Sequence, residues 1–378
     1  MSKRESNILI IAARYSNNLG DDIIYDIVSN ACEMARGMQP IGLSISGKKS
    51  YNSDNKGMLL RKERKKSIKK YLKSTPFFSI YVQKKGAANL KSNLEKLNWN
   101  EIDVVVFAGG QLFMDYFVNW IKIIVSFAES HKKKVIFNCC GMGKLSPSSI
   151  KLLKKVLESE SVYKVTLRDG VSQFRTFFGI VNAEQTMDPA INSIDVYGGR
   201  EKVKGRVGVG IISYEMLRRN NVPVTQNEYI AFIKKTIAFL EAKNKKIMVF
   251  TNGAMDDQEF AEYALKSIGK ENLLECRPIR PKELIDIIAS CEYIMSFRLH
   301  SLIIAASYGI PTIGFVWDEK VRTFFETIGR GESAISLSGG LSFEKNQSKM
   351  ESLIDMENYQ ISYMLPKSYD NLVEVLKE

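Results

Sequence analysis

The sequence predicts an α/β protein built from two Rossmann-like domains facing a cleft, on three observations. Short apolar runs alternate with helix-period stretches between residues 8 and 178, and the same alternation restarts at 207 and runs to 377. Between the two series, around 192–204, the composition shifts to Asn, Ser, Asp, Gly and Lys, with Gly198, Gly199 and Gly205 as breakers. The length of 378 residues at 45% hydrophobic content exceeds one ordinary core and fills two. The expected domains are therefore 1–195, with a basic insertion at about 50–86, and 205–378.

Each element follows from its local pattern. An apolar run at 8–13 predicts a strand, followed by a polar loop to Gly20 and a periodic helix at 21–35, together a β-loop-α unit. A second strand is expected at 41–45. The basic insertion then interrupts the pattern until strands at 102–108, 135–138 and 162–167, with helices at 113–127, 148–157 and 171–178. In the second series we expect strands at 207–212, 246–250 and 273–276 and helices at 228–242, 258–268 and 281–290. Pro281 opens the last of these, where a missing N–H costs nothing. A strand from 293 leads through Arg298 into a small-residue helix at 302–308 that Gly309 stops. Pro311 opens a strand at 312–316, and helices at 318–328 and 369–377 complete the chain. Alternation of this kind implies parallel sheets covered on both faces, which bind ligands beyond their strand carboxyl ends.

Composition excludes several function classes. No run approaches the roughly 18 apolar residues of a spanning helix, and the first six residues lead into a strand rather than a signal-peptide core, so a cytoplasmic protein is expected. Five cysteines without Cys-x-x-Cys spacing indicate neither disulfides nor zinc. The acidic pairs Asp21/Asp22 and Asp256/Asp257 sit where helix N-caps are expected, so no metal is predicted. The excess of 54 basic over 42 acidic residues, net +12, favours an anionic partner. Much of it lies in one block from Arg61 to Lys73 with Leu, Ile and Tyr scattered through it. That block reads either as an amphipathic element on an anionic membrane face or a lipid-linked diphosphate, or as a solvated loop. No recognition motif accompanies the charge, which argues against nucleic acid.

The residues that point to chemistry stand at strand ends. Ser296-Phe297-Arg298-Leu299-His300-Ser301 places a fixed cation, an imidazole and helix N-terminal amides around one point, a combination suited to a small phosphorylated anion. An extended segment through His300 would send Arg298 and His300 to one side. Asn17-Asn18-Leu19-Gly20-Asp21 lies at the first strand-to-helix turn, where Gly20 permits close backbone approach and Asp21 can cap the helix. It lacks the Gly-x-Gly-x-x-Gly fingerprint of dinucleotide sites. Gly109-Gly110 with Asp115 repeats the arrangement, and Arg168 in Leu167-Arg168-Asp169 is placed like Arg298 but in the other domain. Arg168 reads either as half of an anion clamp with Arg298 or as a salt bridge with Asp169 or Asp188. Cys139 and Cys140 would need a nearby base to act as nucleophiles. The chain holds two histidines, and His131 stands in a lysine-rich turn, which argues against a Cys-His pair.

Taken together, these residues resemble the polysaccharide pyruvyl transferase family. The resemblance rests on Asn18-Leu19-Gly20-Asp21, Gly109-Gly110 with Asp115, Leu167-Arg168-Asp169, Asp188-Pro189-Ala190, and the stretch from Arg298-Leu299-His300 through Gly309-Ile310-Pro311 to Asp318-Glu319-Lys320-Val321. One departure is Gln111, where the family often has a third glycine. The resemblance implies a fold similar to glycosyltransferases of the B type, phosphoenolpyruvate as donor, a saccharide acceptor that can be lipid-diphosphate-linked, and a pyruvate ketal as product, with no further cofactor. It implies His300 and Arg298 as catalytic residues. Arg168, Asn18, Gly20, Asp21, Gly109, Gly110, Asp115, Ser301 and Lys320 line the substrates, with Asp21 or Asp115 as base for the acceptor hydroxyl. The competing expectations are a nucleotide-sugar-dependent glycosyltransferase of the same architecture and a non-catalytic assembly protein docking through the basic block. The location expected is cytoplasmic, either free or peripheral at the inner face of the membrane, according to which reading of the basic block holds.

Overall fold

The computed structural model describes residues 7–16, 18–50, 76–180, 182–354, 356 and 359–378, with the backbone alone for 76–81; the basic block 61–73 lies outside them. Of the described residues, 7–16, 24–188 and 368–378 form one compact unit, and 18–23 with 189–367 form the other. The units are thus not plain halves of the sequence, because a short N-terminal piece and the C-terminal helix each group with the opposite series.

In the first unit β1 (Asn7–Ala12), α1 (Leu19–Arg36, of which residues 19–23 group with the second unit) and β2 (Ile41–Ser44) precede α2 (Pro76–Glu95). Then come β3 (Ile102–Phe107), β4 (Gly110–Phe113), α3 (Val118–Ser130), β5 (Lys134–Met142), α4 (Pro147–Leu157), β6 (Val162–Leu167), α5 (Val171–Phe178) and β7 (Glu184–Gln185). The strands order as β2-β1-β3-β5-β6-β7, with β4 also against β5, all parallel. Helices cover both faces, which is why β1 and β3 read as continuous apolar runs rather than alternating ones. Phe107 stacks on Phe137 at 4.4 Å, and Phe113 joins Phe137 to Phe174 at 5.3 Å each.

In the second unit a 3-10 turn (Pro189–Asn192) and α6 (Ser193–Tyr197) lead into β8 (Arg206–Gly210), α7 (Tyr214–Arg219), α8 (Gln226–Ala242), β9 (Lys246–Phe250) and α9 (Met255–Ser267). There follow α10 (Pro281–Ala289), β10 (Tyr293–Ser296), α11 (Leu299–Ser307), β11 (Thr312–Val316), α12 (Glu319–Thr327), β12 (Ala334–Ser336) and α13 (Phe343–Ile354). The order β12-β11-β10-β8-β9 is again parallel throughout. Because β9 lies on one side of β8 and β10 on the other, the chains leaving β8 and β10 diverge and open a crevice at that switch point. The closing helix α14 (Ser368–Lys377) belongs to the first unit, where Tyr369 Oη donates to Asn30 Oδ1 at 2.7 Å.

Several elements differ from expectation for local reasons. The helix expected at 113–127 starts at Val118, because Gly109 and Gly110 take left-handed φ of +79° and +75° and turn the chain into β4 along β5. The strand expected at 273–276 is a 3-10 turn (Glu271–Leu273) followed by a single bridge from Leu274 to Val249. The stretch read as a linker holds α6, which docks on α11: the Ile194 N–H donates to Ser307 Oγ and Tyr308 Oη to the Gly198 carbonyl, both at 2.9 Å. All nine residues of α11 are buried, so this helix shows no polar face by which its start could be read.

Phe297 anchors the junction between β10 and α11. Its ring is buried, stacked on Phe315 at 4.4 Å and edge-on to Tyr229 at 5.1 Å. Phe297→Ala should cost about 3–5 kcal/mol of stability, read as a fall in the urea midpoint of the second unit's transition at unchanged slope.

Candidate functional site

The site is built in the second unit, at the crevice between β8 and β10. Sheet pairing of β10 ends at Ser296, which faces Gly210 and Gly314, and after Phe297 enters the core the chain turns at once into α11. The helix begins at Leu299, three residues earlier than expected. Arg298 is its N-cap residue, with φ −93° and ψ 122° and no side-chain cap, and His300 is its second residue. The two therefore do not project from one face of a strand. They flank the start of a helix, where first-turn N–H groups lack intrahelical acceptors and the macrodipole favours negative charge.

Arg298 is held by a carboxylate that the sequence reading took for a helix cap. Its Nε donates to Asp257 Oδ2 at 2.7 Å, and Nη2 lies 2.6 Å from the same oxygen. Asp257 Oδ1 accepts the Ser213 N–H at 2.8 Å. Asp257 is fully buried in the first turn of α9. Burial pushes its carboxyl above the ordinary range, against the pull of Arg298 and the Ser213 N–H. Ser213 leaves β8 in a loop pinned by Tyr229, whose hydroxyl donates to the Ile212 carbonyl at 3.1 Å and accepts the Ile212 N–H at 3.3 Å. Asp257 thus engages the Nε–Nη2 edge of the guanidinium and leaves the Nη1 edge unused by that carboxylate.

His300 is 8% exposed and lies against the first turn of α1. An ideal Cβ built on Gly20 would stand 1.9 Å from His300 Nδ1, so this contact requires glycine. Asn252, which follows β9, joins the starts of the two helices. Its main-chain carbonyl accepts the Leu19 N–H at 3.1 Å and its side-chain Oδ1 accepts the Ser301 hydroxyl at 2.5 Å. Asn18 frames the same turn, its Oδ1 accepting the Gly20 N–H and its carbonyl the Asp21 N–H, both at 3.4 Å. Asp21 lies in the first turn of α1 rather than at its cap.

Lys320 stands at the start of α12. It pairs with Asp318 at 3.0 Å and rides over the Trp317 ring at 5.2 Å, and Trp317 Nε1 donates to the Phe297 carbonyl next to Arg298. The second unit therefore brings together Asn18, Gly20, Asp21, Arg298, His300 and Ser301, with Lys320 tied to their edge. Sequence reasoning missed Asp257, Ser213, Tyr229 and Asn252. A carboxylate on the strand-to-helix turn next to that of Arg298 was the available signal.

The remaining expected residues stand in the first unit. Arg168 is buried with two carboxylates, Nε to Asp169 Oδ2 and Nη1 to Asp188 Oδ2, each at 2.8 Å. Both salt-bridge readings of Arg168 are thus realised together, with a carboxylate on Nε and another on Nη1. Asp169 Oδ1 also accepts the Met142 N–H at 2.8 Å, which makes the cluster a fixture of the β5–β6 ends. Asp115 Oδ1 takes the N–H and hydroxyl of Ser146 at 2.8 and 3.0 Å, and that N–H holds its carboxyl below the usual range. Since Ser146 caps α4, Asp115 secures a helix start. Gly109 and Gly110 serve the turn described above, and Gln111 Nε2, at the position of the family's third glycine, donates to the Met142 carbonyl at 2.9 Å.

Cys139 and Cys140 are buried, and burial pushes both thiols far up, away from nucleophilic thiolate. His131 is exposed and stacks on Trp99 at 4.7 Å. Among the described residues no three His, Cys, Asp or Glu side chains group as a metal site, and no helix is long and apolar enough to cross a membrane.

A family model described as polysaccharide pyruvyl transferase matches residues 18–319, from the Asn18 turn through α11 to the first residue of α12. No curated protein sequence matches. Among solved structures, the UDP-GlcNAc 2-epimerase of Methanocaldococcus jannaschii in complex with UDP-GlcNAc and UDP is 13% identical, with 98% of each chain covered and a TM-score of 0.55. MnaA of S. aureus with UDP is 12% identical over 98% of this chain and 94% of its own, at a TM-score of 0.55. A Listeria monocytogenes protein assigned as a UDP-N-acetylglucosamine 2-epimerase is 8% identical over 99% and 96%, at a TM-score of 0.60. At these identities the likeness is one of fold, two parallel-sheet α/β domains of the glycosyltransferase-B type. The family match spans most of the chain and both strand-end turns from which the Arg298–His300 site is assembled, and on that evidence this protein belongs to the polysaccharide pyruvyl transferase family.

Proposed function

We propose that this transferase moves the enolpyruvyl group of phosphoenolpyruvate onto two hydroxyls of one sugar, in a surface polysaccharide or its lipid-linked precursor, leaving a pyruvate ketal and inorganic phosphate. The observation that carries this reading is the junction at Arg298: a guanidinium fixed in direction, an imidazole and a helix N-terminus within three residues, all on the ligand side of a parallel sheet. The family supports a role in polysaccharide pyruvylation. Phosphoenolpyruvate as donor and a ketal as product are our own reading, supported by the fit of a guanidinium and an imidazole to a carboxylate and a phosphate.

In the proposed reaction the methylene carbon takes a proton and leaves an oxocarbenium-like centre at the carbon that bears carboxylate and phosphate. One sugar hydroxyl adds there and loses its proton. The C–O bond to phosphate breaks, phosphate leaving with one proton, and the second hydroxyl closes the ring as it loses its own. Two hydroxyl protons are thus matched by one on carbon and one on phosphate. Arg298 through its Nη1 edge and the α11 amides bind the anionic groups. His300 exchanges the proton or holds the departing phosphate, the role for which an imidazole is suited near neutral pH. Asp21, beside Gly20, is the acceptor base within this unit. The basic block from Arg61 to Lys73 supports an acceptor carried on an anionic membrane at the inner face.

His300→Gln and Arg298→Met should remain folded and each lower phosphate release by roughly 10²–10⁴-fold, the range of a lost general acid or anion contact; near-full turnover in either would remove these roles. In a thermal-shift panel, phosphoenolpyruvate at about 100 times its Kd should stabilise the protein by roughly 2.7 kcal/mol. Stabilisation by nucleotide sugars instead would favour the glycosyltransferase alternative. Gly20→Ala should favour helix α1 itself, since Ala propagates helix better than Gly, yet displace the imidazole and lower kcat on the order of 100-fold. Unchanged kcat in that variant would show that His300 does not act from this position.

A further inference from the structure

We propose that Asp257 is the positioning residue of the donor site: it sets the direction of Arg298 and touches no substrate itself. This inference rests on the reading of Arg298 as the donor's anion-binding group. Three independent observations support it. The carboxylate is fully buried, yet both of its oxygens are used: Oδ2 by two nitrogens of Arg298 at 2.6 and 2.7 Å, and Oδ1 by the Ser213 N–H at 2.8 Å. Asp257, after β9, takes its two partners from the connections after β8 and β10, so it fixes Arg298 relative to the switch point rather than to its own helix. The edge of the guanidinium it occupies leaves the other edge available for a bidentate contact with a phosphate or carboxylate.

A plain framework role would be served by any buried pair, and burying ions for stability alone is a poor bargain. What an ion pair adds here is direction. A long arginine side chain carries rotamer freedom that an anion would otherwise have to freeze on binding, and Asp257 removes it in advance.

The test is Asp257→Asn in the full chain. The amide keeps the shape, but only one of its two heads can accept, so either the Ser213 N–H or Arg298 loses its acceptor. With saturating acceptor, kcat/KM for phosphoenolpyruvate should fall roughly 10–100-fold, because Arg298 serves both binding and turnover, while KM for the acceptor stays within about threefold. Unchanged kcat/KM for phosphoenolpyruvate in an active variant overturns the inference and leaves the proposed function standing. A wild-type chain that neither binds nor turns over phosphoenolpyruvate overturns the proposed function instead. If the Asn variant does not fold, Asp257→Ala gives the same reading. Failure of both to fold, with Arg298→Met folding normally, overturns positioning in favour of a purely structural role.

Discussion

A guanidinium can be aimed only by something that holds one of its edges. In this protein the buried contact between Asp257 and Arg298 supplies that hold, and the arrangement around it depends on the contact being made. Tyr229 pins Ile212 so that the Ser213 N–H meets one carboxylate oxygen; the first turn of α9 places the carboxylate; the end of β10 delivers the arginine. Four segments far apart in sequence converge because a parallel sheet puts all its strand carboxyl ends on one side. Phe297, one residue from Arg298, ties the same junction into the aromatic core through Phe315 and Tyr229, so core packing and site geometry are fixed together.

The imidazole is placed by a different device. His300 sits where the first turn of α1 has no side chain, and Asn252 clamps the starts of α1 and α11 to one loop. Charge fixes the cation and absence of bulk fixes the imidazole. Both act through the connection after β9, which contributes Asn252 and then, at the head of α9, Asp257. The first unit uses its own buried arginine differently: Arg168, between two carboxylates, stiffens a sheet edge.

Much of the fold was legible because fully buried parallel strands leave continuous apolar runs; the strands at 162–167, 246–250 and 312–316 were placed to the residue. Short edge strands such as β7 and β12 carry too few residues to show a period, and β4 depends on a pair of left-handed glycines whose conformation no pattern announces. The start of α11 was misplaced by three residues because an apolar helix buried on all sides has no face to read. Of the site, Arg298, His300 and Gly20 were visible as motif residues. Asp257 and Asn252 were not, since each acts on a residue tens of positions away, and local reasoning gives an acidic pair at a helix start the ordinary task of capping. Asp115, expected to face a substrate, also secures the start of α4 through Ser146, a structural task its position in the sequence does not announce.

The assignment of residues 18–23 to the second unit and of 368–378 to the first bears on how the chain can be made. Both units are discontinuous in sequence, so during synthesis on the ribosome the first cannot reach its finished form until residues 368–378 have emerged, and the second must keep residues 18–23 waiting until residues 189–367 are made. Severing the chain near residue 188 would also yield no independent module from the C-terminal piece: His300 would lose the helix start that backs it, and Asn252 one of the two ends it joins.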